Sequence, residues 1–187
     1  MGKIIMMAVV VCLGLSISGQ GAQADQNDPR LGVLFKVLKA QVDVQKIQKT
    51  EAQIWQIWSR HGENATVNRL MQRAQALMAT EQVRLAADVY DRIIERDPKF
   101  AEGWNRRATL RFITGDYAGS VADIQQVLAL EPRHFGALSG LGMIYMALDK
   151  PEGALRAFEA ALDIHPHLPA ALAHVGFLRG QVEGQKL

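Results

Sequence analysis

Three of the chain's six prolines, Pro98, Pro132 and Pro166, stand 34 residues apart, and the residues around them repeat with them. Each follows a polar residue, Asp97, Glu131 or His165. A large side chain lies eight positions earlier, at Tyr90, Ile124 and Phe158, and a small one lies four before that, at Ala86, Ser120 and Ala154. A large apolar residue comes six after each proline, at Trp104, Leu138 and Leu172. A period of this length marks one supersecondary unit copied along the chain, each copy burying its apolar face on its neighbours.

Each unit divides into two helices. In the third, Leu138, Leu141, Tyr145 and Met146 share one helical face, and Asp149-Lys150-Pro151 makes the turn. Pro151 suits a first helical turn, where its missing N–H costs nothing. Leu155, Phe158, Ala161 and Leu162 then point inward, and Gly115-Asp116 marks the same turn one unit earlier. Small residues at 86, 120 and 154 suit a close helix crossing.

The period and these residues resemble the tetratricopeptide repeat (TPR), whose pattern is W-x2-L-G-x2-Y, then A-x3-F, then P. The third unit carries Leu138, Leu141-Gly142, Tyr145, Ala154, Phe158 and Pro166. The second keeps Trp104 and Pro132, and the first keeps Ala86, Tyr90 and Pro98. The segment 131–140 also looks like one found in small exported repeat proteins of Gram-negative bacteria. The resemblance implies an all-α solenoid of three helix-turn-helix repeats, at 67–100, 101–134 and 135–168, followed by a C-terminal capping helix and tail at 169–187.

The period fails before residue 67. Leu31, Leu34, Phe35 and Leu38 trace one helical face, and Ile47, Ile54, Trp55 and Trp58 trace another before His61-Gly62. Residues 25–66 therefore read as a helical hairpin expected to cover the open end of the stack. The other reading lays the hairpin in the groove as an inhibitor. Residues 1–24 read as a signal peptide: Lys3 supplies the charge, Ile4 to Ile17 the apolar run, and Ala22-Gln23-Ala24 the cut before Asp25. The expectation is export, with the periplasm as destination and no membrane span after cleavage. Cys12, the single cysteine, lies in that segment, which excludes a disulfide framework and a cysteine zinc site.

Twenty-one basic against 19 acidic residues leave a formal charge of +2, with no clustered basic face for nucleic acid. No nucleophile, P-loop or zinc-protease pattern occurs, so no enzyme activity and no cofactor are expected. The resemblance implies partner binding along the leading helices, at Met71, Gln75 and Met78, at Asn105, Arg106, Thr109 and Phe112, at Ser139, Met143 and Met146, and at Phe177. Flexible thioethers there suit a protein or peptide segment of loose sequence. One version of the groove clamps a carboxylate with Lys and Asn. Met71, Gln75, Gly136 and Gly140 stand where four of those groups would be, leaving Arg106 with Asn105 as the anion-holding pair. Two other readings stay open. One is a self-associating scaffold through Leu172, Val175 and Leu178, and the other is a metal held by His165, His167 and His174.

Overall fold

The computed structural model describes residues 25–62 and 64–184, and among them every regular element is helical. In chain order these are α1 Arg30–Ala40, α2 Val44–Trp58, α3 Ala65–Ala79, α4 Val83–Arg96, α5 Ala101–Ile113, α6 Tyr117–Leu130, α7 Phe135–Ala147, α8 Pro151–Ile164 and α9 Pro169–Gly184. The expected signal peptide, residues 1–24 with Cys12 in it, lies outside the described residues. No described helix is long and apolar enough to cross a membrane.

The 34-residue period sets the elements. Helices α4, α6 and α8 begin at Val83, Tyr117 and Pro151. The turn before each contains one residue at positive φ: Glu81 at 57°, Gly115 at 81° and Asp149 at 52°. Only Gly115 adopts that conformation without a steric cost. Pro98, Pro132 and Pro166 fall in the loops joining one helix pair to the next. Helix starts are capped in turn, with Asp43, Asn64 and Asp116 each accepting a backbone N–H from the first turn. For α7 the cap is an imidazole: His134 Nδ1 accepts from Ala137 N at 3.0 Å.

Within pairs, small residues let the helices approach. Ala86, Ser120 and Ala154 are fully buried, and Ser120 Oγ donates to the Ala108 carbonyl at 2.7 Å. A Cβ on Gly142 would stand 2.7 Å from the Phe158 ring, so the crossing of α7 and α8 has room for glycine alone.

The N-terminal hairpin does not cover the open end of the stack, contrary to the sequence expectation. Val67, Leu70, Ala74, Val89, Tyr90 and Ile93 of α3 and α4 close among themselves with Phe100 and Leu110. Leu31, Leu38, Ile54 and Trp58 of the hairpin instead share a core with Phe135, Phe158, Leu168 and Val175. Helix α2 runs back along the row of inter-pair loops. The Gln41 carbonyl accepts from His167 Nε2 at 2.8 Å, and Glu51 meets His165 Nε2 at 3.3 Å. Trp58 stacks on His134 with centroids 4.1 Å apart, and His61 bonds Asp97. The reason is chemical matching. The loops present rings at the starts of α7 and α9. Trp55 and Trp58 pack on His134 and Phe135, with Phe35 against Trp58 and under the Arg133 guanidinium.

Burial pushes the His165 imidazole below its ordinary value of 6.5, against the upward pull of Glu51. The folded state therefore keeps the ring neutral at a pH where the unfolded chain already takes a proton. Stability from this group is complete above pH 6.5 and is lost as pH falls through the lower folded value. Urea midpoints are expected to drop between pH 7 and pH 5, and His165→Gln is expected to flatten that slope. An unchanged slope in the variant would assign the acid sensitivity to another group.

Candidate functional site

Successive leading helices approach one another, α5 to α7 and α7 to α9, more closely than the following helices behind them do. The stack therefore curves toward its leading helices, and the concave side opens between α5 and α7. A cleft of about 250 Å³ lies there, walled by Ala108, Thr109 and Phe112 of α5 and by Gly136, Ser139, Gly140, Met143 and Ile144 of α7, with Ile124 of α6 at its base. A second cleft of about 410 Å³ shares Asn105, Thr109, Gly136 and Ser139 with it, and adds Trp55, Arg106, Phe135, Leu168 and Ala170. The two form one groove, apolar at one end and bounded by the Trp55 indole at the other.

Trp55 reaches the groove because α2 crosses the loop ends. Its Nε1 donates to Glu51 at 3.3 Å, and its ring meets Phe135 edge-on at 5.5 Å. A Cβ on Gly136 would lie 2.5 Å from the tip of that indole, so this glycine gives Trp55 its seat.

Beneath the groove floor lies a closed polar network. Glu102 is 1% exposed and takes three donors: Asn105 Nδ2 at 2.9 Å, Arg106 Nε at 2.6 Å and His134 Nε2 at 3.2 Å. Because His134 Nδ1 accepts the Ala137 N–H, the ring proton resides on Nε2 and points at Glu102. Burial alone would push the Glu102 carboxyl up. The His134 bond first, then Arg106 and Asn105, outweigh it and hold the group below the ordinary 4.5.

This arrangement of paired helices has known relatives. A family model described as tetratricopeptide repeat matches residues 71–125 and 114–169. The chain belongs to the tetratricopeptide repeat family. A TPR repeat-containing protein of Rhizobium etli is 40% identical over 157 residues, covering 84% of this chain and 76% of that protein. Among solved structures, the first TPR of Spaghetti (RPAP3) bound to the HSP90 peptide SRMEEVD superposes with a TM-score of 0.60 at 21% identity, covering 63% of this chain and 93% of that one. The Sgt2 TPR domain of Aspergillus fumigatus gives 0.61 at 18% identity, covering 66% and 83%. At those identities the likeness is one of fold.

Of the TPR lining positions, the structure brings Asn105, Arg106, Thr109, Phe112, Ser139 and Met143 together around one groove. Met71 is instead buried between α3 and α4, where Met78 also packs, and Gln75 is exposed on α3 outside the groove. Met146 and Phe177 line a separate depression beside the α7–α8 turn. Asn105 and Arg106, expected as an anion-holding pair, are already held by Glu102. The histidines do not converge: His165 faces Glu51, His167 the Gln41 carbonyl, and His174 stacks on Phe158. Val175 and Leu178 are buried, leaving Leu172 alone of the three α9 residues exposed. The sequence places Trp55 only on an apolar helix face and not at the groove, because its contact with Gly136 spans 81 residues and follows no period. An uncommitted glycine at the start of α7 was its one trace.

Proposed function

We propose that the chain is an exported adaptor that holds a segment of another protein in the concave groove and performs no chemistry of its own. The observation that carries this reading is the continuous groove between α5 and α7. Its walls are Phe112, Met143 and Ile144, with uncharged Thr109 and Ser139 among them. Apolar walls with a few polar groups suit burial of partner side chains, and one or two hydrogen bonds set the register. The peptide complex of a structural neighbour supports the use of such a groove. The signal-like residues 1–24 support export to the periplasm.

The test is affinity capture from a cell-envelope extract, with the wild-type chain beside a Phe112→Glu, Met143→Lys double variant. Both side chains are only partly buried, so the helices tolerate the change. A partner held by the wild type and lost by the variant, at equal helicity, is the expected result. Equal capture by both would remove the groove from the reading.

A further inference from the structure

From the charges around the groove we infer that its occupant is an uncharged, apolar stretch of a partner chain, and that Glu102, by matching Arg106, is the residue that leaves acidic segments without an anchor there. The inference rests on the groove reading above and narrows it.

Of the side chains lining the two clefts, Arg106 alone carries a charge. That charge is matched in place, because Arg106 Nε bonds the buried Glu102. The other arginines of α5 are matched as well. Arg107 is held by Asp91 and Asp123, and Arg111 by Asp123 with Asp116 beside it. The groove therefore offers no surplus positive charge to an arriving carboxylate, because Glu102 already compensates the one cation in its lining. The rest of the lining favours the opposite ligand. Phe112, Met143 and Ile144 offer apolar contact, and the Thr109 hydroxyl is already bonded to the Asn105 carbonyl at 3.0 Å.

Two measurements test this. In the first, a library of random displayed dodecapeptides is selected on the wild-type chain and on the Phe112→Glu, Met143→Lys variant. Enrichment of apolar, carboxylate-poor sequences on the wild type alone is expected. Enrichment of sequences rich in Asp and Glu would overturn the inference and leave the groove reading standing. Equal selection by both chains would overturn the groove reading and the inference together.

The second measurement uses the acidic peptide SRMEEVD at low salt, read by fluorescence anisotropy. Glu102→Gln keeps the side chain's shape and an acceptor for His134 while removing the charge. Thr109→Lys adds a cation at an exposed lining position and leaves the buried network alone. Each is expected to tighten binding of this peptide on the order of tenfold over wild type. Circular dichroism checks both folds, and Thr109→Lys carries the test if Glu102→Gln loses helicity. Wild-type binding as tight as that of both variants would overturn the assignment of Glu102.

Discussion

Replacing Trp58 with alanine is expected to lower the unfolding free energy by about 3–5 kcal/mol, the range for deleting a large buried aromatic. Trp58 is 1% exposed and stands where the hairpin, α7 and the loop before it meet. It stacks on His134 at an interplanar angle of 9° and packs on Phe135 at 5.1 Å and Phe35 at 5.9 Å. Alanine there would leave a void flanked by groups that other contacts hold in place, since His134 is tied to both Ala137 and Glu102. Collapse is therefore limited, which places the cost toward the upper end. The hairpin should also become the first region to open, so limited proteolysis is expected to cut near residues 41–43 sooner than in wild type. Urea denaturation supplies the energy, with Phe177→Ala, at a side chain 69% exposed, as a control expected within about 0.5 kcal/mol of wild type. A loss for Trp58→Ala as small as the control's would mean that the hairpin is not docked on α7 in solution.

What could be read in the sequence is what repeats. Pro98, Pro132 and Pro166, the small residues Ala86, Ser120 and Ala154, and the pairing of helices within each unit all follow from local periodicity, because each unit packs mainly on its neighbours. The groove's apolar wall was legible for the same reason: Phe112 and Met143 stand at lining places of the repeat, the twelfth residue of one unit and the ninth of the next. Two things were not legible. The hairpin's path depends on aromatic contacts between residues 55–58 and 134–135, which leave no spacing signature. The state of Asn105 and Arg106 depends on Glu102 turning inward, and a glutamate on a leading helix reads as a solvated or lining group until His134, 32 residues later, is seen to donate to it. Long-range pairing of this kind decided how the groove is closed at one end and how its charge is balanced.

A second large effect is expected from adding one carbon to α7. Gly142 and Gly176 occupy the same place in the 34-residue unit, each following the branched residue of the leading helix. A Cβ at Gly142 would lie 2.7–2.8 Å from three atoms of the Phe158 ring, which is fully buried and has no space to retreat. A Cβ at Gly176 would meet nothing within 4 Å. Alanine is the better helix former at both sites by about 1 kcal/mol, through its lower conformational entropy cost. At Gly176 that gain stands alone, so Gly176→Ala is expected to stabilise by about 0.5–1 kcal/mol. At Gly142 it is opposed by overpacking, which costs about 1–3 kcal/mol or more when the neighbour cannot move. Gly142→Ala should therefore destabilise despite the identical chemistry, and the Phe158→Leu background should relieve part of the loss. Denaturant midpoints of the two variants measured side by side decide it. Shifts of the same sign and size would show that the two glycines are governed by helix propensity alone, and that α8 does not press on α7 as closely as 2.7 Å requires.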